Sequence, residues 1–392
     1  VELSAWERLR SAEGSAALVT AAGLVDDDPL AGADAMRAAG FDPELAAGAL
    51  TQARLRRRAE AKFGPDAGRL FFTRPGLEQA TRSVVADRRA ARLVAAGVFR
   101  IADLGCGIGA DTIALARAGL RVLAVEADPA TAAIAQSNVD ALGLPATVVC
   151  ADATDVDLSD VDAVFCDPAR RDTVRAGRVF DPKAYSPPWS FVVGLADRIA
   201  ATVIKSAPGL DHANIPAGAE AEWVSVDHDL VECALWFGPL ATVPRRASLL
   251  TGGTGVELTG SGVAQARLGP VGRYLTDPDP AIVRAYLLAE FVESVDGVLA
   301  DPHIAYVFTD RPTSGPYGHC FEIIEALPFA LKQLRAALRE RGVGKLEILK
   351  RGLAVDPARL RRELRLTGPH SASLILARLG GRPVALLGQS CA

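Results

Sequence analysis

No C-x-x-C pair occurs in this 392-residue sequence, and its six cysteines (Cys106, Cys150, Cys166, Cys233, Cys320, Cys391) are scattered. That spacing supports neither a disulfide framework nor a zinc site, so they read as reduced core thiols and no metal is expected. Histidine is also sparse, at five residues, and His212 and His228 show no partner pattern. Long apolar runs are missing. The run Leu230 to Leu240 is broken by Glu232 and Pro239 and falls short of the roughly 20 residues that cross a bilayer. Glu2, Glu7, Arg8 and Arg10 stand among the first ten residues, which is no charged head leading into an apolar signal core. The expectation is a cytoplasmic protein with no membrane partner. No internal repeat or low-complexity tract is visible.

The chain does carry a globular balance, 49% hydrophobic against 23% charged, over a length suited to two or three domains. Residues 1–97 read as an Ala-rich helical domain, punctuated by Pro29, Gly40 with Pro43, Gly64 with Pro65, and Pro75 with Gly76. Residues 98–318 begin with alternating β-branched and Ala-rich runs, the pattern of a parallel α/β sheet. Seven strands are predicted there: 100–104, 121–125, 147–150, 162–166, 201–205, 222–226 and 231–237. Asp128, Pro129 and Gly143 mark the start and end of the helix after the second strand. A Gly- and Pro-rich extension follows from Pro244, with one helix predicted from about Pro280 to Val295. Residues 319–392 read as a small α+β domain of ferredoxin-like complexity, in the order strand, helix, strand, helix, strand, strand.

The central signal is Asp103-Leu104-Gly105-Cys106-Gly107-Ile108-Gly109, placed between a strand and a helix. Glycines there let backbone approach a ligand. Gly105, Gly107 and Ala110 also satisfy the dinucleotide fingerprint G-x-G-x-x-G/A, so a nicotinamide dehydrogenase is an alternative. Asp103 separates the two readings. A carboxylate two residues before the first glycine suits the ammonium of S-adenosylmethionine and repels a pyrophosphate. Glu126, with Ala127 beside it, ends the second strand where both ribose hydroxyls would be bound, as in either cofactor class. Asp152 follows the third strand, placed for the adenine amino group, with Ala151 and Ala153 leaving room for the ring. Asp167 completes a series of one acid per successive strand end.

These residues resemble class I S-adenosylmethionine-dependent methyltransferases, and more narrowly the bacterial group with a THUMP-like C-terminal domain. The resemblance runs through "FFTRPGLEQAT" (71–81), "ADLGCGIGADTIALA" (102–116), "CDPARR" (166–171), "IKSAPGLD" (204–211), "YLTDPDPAIVRA" (274–285) and "KRGLAVDPARLRRELRLTG" (350–368). It implies a Rossmann-like seven-stranded methyltransferase sheet. A more distant similarity, to trimethylguanosine synthases, implies that Thr73 and Gln79 close over the cofactor. The chain departs from those enzymes at the fourth strand. They carry Ser-Pro-Pro-Trp there; this chain has Asp167-Pro168-Ala169-Arg170, and its own Ser186 to Trp189 string lies well past the strand end. The stacking role is therefore not carried to Trp189.

Methyl transfer needs alignment more than acid–base chemistry. Asp167 and the carbonyl of Pro168 suit an amine acceptor, whose hydrogens they would accept. Arg170 and Arg171 suit a base or a phosphate, with Lys205 reaching the same pocket. The bland alternative is a loop in which Arg170 pairs with Asp167 or Asp172. Cys166 reads as a buried strand thiol rather than a nucleophile.

From Ala326 to Ala392 there are thirteen Lys and Arg against four Asp and Glu, a net of +9, leaving −13 on the other 325 residues. Such a basic module supplies phosphate affinity. Lys350, Arg351, Arg359 and Arg362 are its candidate RNA contacts, and THUMP domains are RNA-binding modules of tRNA-modifying enzymes. The expected activity is base methylation in tRNA or rRNA, a purine amino nitrogen leading. The alternatives are a small-molecule O- or N-methyltransferase and a non-catalytic RNA-binding protein.

Overall fold

Aspartate and proline set the helix starts of the N-terminal segment. The chain opens with α1 (Leu3–Arg10), α2 (Ala12–Ala22), α3 (Pro29–Ala38) and α4 (Pro43–Phe63). Pro43 occupies the first turn of α4, and the Asp42 carboxylate accepts the N–H groups of Glu44 and Leu45. At 21 residues α4 is longer than the short helices expected. The computed structural model describes residues 3–24, 28–170 and 185–391.

Two units divide the described chain: 1–219 with 235–241, and 220–234 with 242–392. In the first unit, α5 (Arg74–Gln79) and α6 (Ser83–Ala95) lead into β1 (Arg100–Leu104), α7 (Ala110–Arg117), β2 (Arg121–Glu126), α8 (Pro129–Leu142), β3 (Ala146–Cys150) and β4 (Ala163–Cys166). A two-residue antiparallel pair follows, β5 (Ala169–Arg170) with β6 (Tyr185–Ser186), then α9 (Trp189–Arg198) and β7 (Ala201–Ser206). The order β7-β4-β1-β2-β3 is parallel throughout. All four residues of β4 and five of the six in β7 are buried, as expected of parallel strands covered on both faces. Chain order reverses at β1, which pairs with β2 on one side and β4 on the other, and such a switch point opens a crevice at the strand ends. Trp6, Phe63, Phe72 and Leu77 form one core cluster with Ile108 of the glycine turn and Ile113 of α7. The N-terminal helices thus pack directly against the turn.

In the second unit, β8 (Glu220–Val226) is followed by β9 (Asp229–Trp236), whose Leu235 and Trp236 group with the first unit. With these, all seven predicted strands are present. β10 (Arg245–Thr251) runs parallel to β8 and antiparallel to β11 (Thr254–Gly260). Then come β12 (Tyr274–Pro278), α10 (Pro280–Arg284), α11 (Leu288–Ser294), β13 (Val298–Leu299), β14 (Val307–Thr309) and β15 (Gly318–Pro328). The single helix predicted over Pro280 to Val295 is in fact two, broken where Tyr286 takes a left-handed φ of 59°. The last elements are α12 (Leu331–Glu340), β16 (Val343–Arg351), α13 (Pro357–Leu364), β17 (His370–Leu379) and β18 (Arg382–Ser390). This is the predicted order of the C-terminal α+β unit. A second sheet runs β13-β14-β12-β15-β18-β17-β16. Because β12 pairs with β15, strands of the Gly- and Pro-rich stretch belong to this sheet, which therefore begins well before residue 319. Among the described residues no helix is long and apolar enough to cross a membrane.

Candidate active site

Backbone conformation builds the glycine turn first. Gly105, Gly107 and Gly109 have φ of 81°, 56° and 89°, values that side-chain-bearing residues rarely adopt. At Gly105 a Cβ would also lie 2.6 Å from the carbonyl oxygen of Asp167, whereas at Gly107 nothing lies within 4 Å. The turn is thus closed toward β4 and open at Gly107. Glu126 holds its shape: its carboxylate accepts the N–H groups of Gly107 and Asp128, each at 3.0 Å.

Asp103, read from the sequence as the partner of a cofactor ammonium, is turned into the protein. It is fully buried, and one oxygen accepts a short hydrogen bond from the Thr112 hydroxyl. Its Oδ1 is buried without a partner among the described residues. Burial, reinforced by Asp111 and Asp167, raises its pKa to about 8. The carboxylates of this cluster are contacted by two cations. Arg89, itself buried and lying over the Phe165 ring, binds Asp111. Lys205 Nζ lies 2.6 Å from Asp167 Oδ2 and donates to Thr81 Oγ1 at 2.9 Å, while the Thr81 hydroxyl donates to Asp111 at 2.6 Å. Among the described residues, these contacts set three acids against two cations. Either Asp103 keeps a proton or a third cation completes the set.

The Phe71 to Gln79 segment is fastened by residues that no sequence motif announced. Gln52 and Asn138, both buried, act as side-chain strands: Gln52 exchanges bonds with both backbone groups of Phe72, and Asn138 does so with Phe71 while also donating to Ile108 O. Lys62 donates to the carbonyls of Leu77, Glu78 and Ala80 at 2.7–2.9 Å. Its partial burial lowers its pKa to about 8. Lys62 thus caps the end of α5.

The remaining predicted residues distribute as follows. Thr73 caps α5, accepting from Gly76 N–H at 3.0 Å; Gln79 ends the same helix and is exposed. Ala127 is exposed and Ala153 buried. Asp152 is exposed and binds the N–H and hydroxyl of Thr154. Asp167 is half-buried and Pro168 buried. Arg170 is described by its backbone, which pairs with Tyr185, and Arg171 lies outside the described residues. The β5–β6 ladder sets Ser186 opposite Ala169. The Ser186 to Trp189 string is therefore adjacent to Asp167-Pro168-Ala169-Arg170 in space, which its distance along the chain had concealed. In the second unit Arg351 pairs with Asp277 at 2.6 Å, and Lys350 donates to Val355 O. Arg359 and Arg362 are exposed on α13.

Among the cysteines, Cys106, Cys166, Cys233 and Cys320 are buried, but Cys150 is exposed and Cys391 partly so; not all are core thiols. Cys166 is fully buried, and burial pushes its thiol well above its ordinary value, as in a strand core thiol. Among the described residues no group of His, Cys, Asp and Glu is placed to hold a metal.

The geometry fits a cationic, adenosine-bearing cofactor. The orphaned Asp103 oxygen matches an ammonium group, Glu126 at the end of β2 matches a diol, and the open side of Gly107 leaves room for close backbone approach. S-adenosylmethionine would supply an electrophilic methyl group there.

Comparison with known proteins agrees. A family described as a methyltransferase domain matches residues 101–175, a THUMP domain-like family matches 318–390, and a domain of unknown function matches 2–59. An uncharacterized S-adenosylmethionine-dependent methyltransferase of Mycobacterium tuberculosis is 36% identical over 338 residues, covering 83% of this chain and 91% of that protein. A 23S rRNA uracil-C5-methyltransferase of Acidithiobacillus ferrooxidans is 32% identical over 133 residues, 32% of this chain and 29% of its own length. The crystal structure of a proposed methyltransferase from Porphyromonas gingivalis W83 superposes with a TM-score of 0.76 at 20% identity, over 96% of this chain and 98% of that one, a likeness of fold. The glycine turn, the charge imbalance around Asp103 and the length of the Mycobacterium match converge: this chain belongs to the S-adenosylmethionine-dependent methyltransferases.

Proposed function

We propose that the protein methylates a base in structured RNA, tRNA or rRNA, at a purine exocyclic amino nitrogen. The observation that carries this reading is the placement of Asp167. Its backbone lies against the glycine turn at Gly105 and its carboxylate is held by Lys205, which supports reading this acid as the group beside the transferred methyl. An amine conjugated to a ring needs its hydrogens accepted so that the nitrogen lone pair turns toward the methyl carbon. Asp167 and the Pro168 carbonyl supply two acceptors. Displacement at the methyl carbon is otherwise a matter of alignment and of excluding water.

The RNA part of the reading is supported by the net +9 of Ala326 to Ala392, by the THUMP domain-like match, and by the rRNA substrate of the Acidithiobacillus relative. Attack from carbon 5 of a pyrimidine requires a thiolate to activate the ring, and Cys166, beside the motif, is buried with a raised pKa. That favours nitrogen over carbon as acceptor. Purified protein and methyl-labelled S-adenosylmethionine are expected to label total RNA from cells lacking the gene and not RNA from wild-type cells. No label in either pool overturns the proposal. Mass spectrometry of the labelled nucleosides identifies the acceptor.

A further inference from the structure

We infer that Thr81 is a positioning residue for methyl transfer: through Lys205 it fixes the Asp167 carboxylate and leaves one oxygen of that acid to the acceptor. The inference rests on the role of Asp167 proposed above. Parallel pairing of β4 with β7 sets Cys166 opposite Ile204, so the next residues, Asp167 and Lys205, stand side by side at a strand spacing of about 4.8 Å. That register places only the backbone of Lys205. An ammonium on a flexible four-carbon stem needs a further anchor to hold one place. Thr81, in the joint between α5 and α6, supplies it: its Oγ1 accepts from Lys205 Nζ at 2.9 Å, while Nζ lies 2.6 Å from Asp167 Oδ2.

Charge fixes the direction of each bond. An ammonium only donates and an ionised carboxylate only accepts, so the Thr81 hydroxyl accepts from Lys205 and donates to Asp111 Oδ2, at 2.6 Å. Thr81, Asp111 and Arg89 are each at most 6% exposed, where losing a partner costs the full desolvation of the group left behind. Arg89 of α6 pairs with Asp111 of α7, and its guanidinium lies over the ring of Phe165 in β4. The contacts therefore leave β4 at Phe165 and return just past its end at Asp167, by way of α6, α7, Thr81 and β7. Lys62 holds the adjoining backbone by donating to Ala80 O. Such a closed circuit ties Asp167 Oδ2 to the sheet itself. Among the described residues Oδ2 is the carboxylate oxygen of Asp167 that takes part in a hydrogen bond, and the side chain is 34% exposed. Oδ1 is thus left to an acceptor N–H. If Thr81 served only to satisfy Asp111 in the core, its effect would not pass through Lys205.

The test uses the full chain and follows methyl transfer from labelled S-adenosylmethionine to total RNA of cells lacking the gene, S-adenosylmethionine binding by calorimetry, and crystal structures of the variants. Thr81→Val keeps the volume and removes the hydroxyl; kcat is expected to fall about tenfold, with the Kd for S-adenosylmethionine changed less than about twofold. Thr81→Ser restores the hydroxyl and should bring kcat to within about twofold of wild type, with the weak donor of Thr81→Cys between the two. Thr81→Cys takes the place of Thr81→Val in every comparison if valine prevents folding. Added to Lys205→Met, Thr81→Val should lower kcat by less than about twofold more, because the group through which it acts is already gone. A kcat within about twofold of wild type in Thr81→Val overturns the inference. So does an equal loss in Thr81→Ser, which would make the role one of packing, and so does a loss that adds in full to that of Lys205→Met. Wild-type protein that labels no RNA removes the RNA reading and leaves the crystal structures to decide: Lys205 Nζ displaced from Asp167 Oδ2 by more than about 1 Å in Thr81→Val bears the inference out, and an unmoved Nζ overturns it.

Discussion

Replacing Asp103 by asparagine probes the charge imbalance beneath the glycine turn. Burial beside Asp111 and Asp167 raises the folded-state pKa of Asp103 to about 8, against roughly 4 in an unfolded chain. A carboxyl with the higher pKa in the folded state holds its proton more tightly there. Its stabilising contribution is therefore fully present below about pH 4 and is lost as pH rises toward 8, at about 1.4 kcal/mol per pH unit. Between pH 5 and pH 7 the wild-type protein loses about 3 kcal/mol through this single group; asparagine, having no such proton to lose, loses none. For a domain of about 150–250 residues, 1 kcal/mol moves Tm by about 2–4 °C. The Tm of Asp103→Asn minus that of wild type should then rise by roughly 5–10 °C across those two pH units. Thermal unfolding of both proteins without ligand, at pH 5, 6 and 7, measures the difference. A gap that stays within 2 °C of constant would refute the raised pKa and with it the uncompensated charge. The same group governs the ligand: if the cationic amino group of S-adenosylmethionine requires the ionised carboxylate, wild-type Kd should fall with rising pH, by up to about tenfold per unit, and level off near pH 8. Asp103→Asn should bind weakly with no such dependence.

The two glycines give opposite outcomes. Gly105→Ala drives its methyl against the Asp167 carbonyl at 2.6 Å and is expected to lose the folded domain, seen as a collapsed melting transition, whereas Gly107→Ala, with open space around it, should cost about 1–2 kcal/mol of stability yet sharply weaken S-adenosylmethionine binding in calorimetry. Lys62→Met strips the cap from three carbonyls at the end of α5 and should raise the KM for S-adenosylmethionine several-fold more than it lowers kcat, with circular dichroism unchanged. Lys205→Met leaves Asp167 without its cation; kcat should drop at least tenfold and the Kd for S-adenosylmethionine much less, and an equal loss in both would make Lys205 a cofactor ligand instead.

What was legible in the sequence was whatever short-range pattern encodes. β4 and β7 read as strands because apolar side chains fill both faces, and Asp128, Pro129 and Gly143 frame α8 as cap, first-turn residue and left-handed stop. The helix break at Tyr286 was not legible, since neither glycine nor proline marks it and the apolar rhythm runs on through Ile282, Leu287 and Phe291, all buried. Long-range partners were equally silent. Asn138 meets Phe71 across 67 residues, Arg351 meets Asp277 across 74, and Lys62 meets the Ala80 carbonyl across 18. Trp189 was set aside because it follows Asp167 by more than twenty positions, a distance that the β5–β6 ladder cancels. Composition cannot show whether a charged side chain faces water or a carbonyl; only the pairing partner decides it.

Unbalanced charge is the feature shared by the two places where ligands are argued to bind, and its sign differs between them. Around Asp103, three carboxylates, two of them buried, meet two cations among the described residues, and desolvation makes an unpaired charge costly there. From Ala326 to Ala392, thirteen Lys and Arg stand against four Asp and Glu, and at an exposed surface such an excess costs little and is screened by salt. The first imbalance should answer to pH and scarcely to ionic strength, because a buried carboxyl relieves its strain by taking up a proton. The second should answer to ionic strength and scarcely to pH, because guanidinium stays charged throughout the working range. Measuring cofactor and RNA affinity across both variables separates the two sites without any substitution. Cofactor affinity that follows salt as steeply as RNA affinity does would mean that the negative charge near Asp103 is solvated rather than buried.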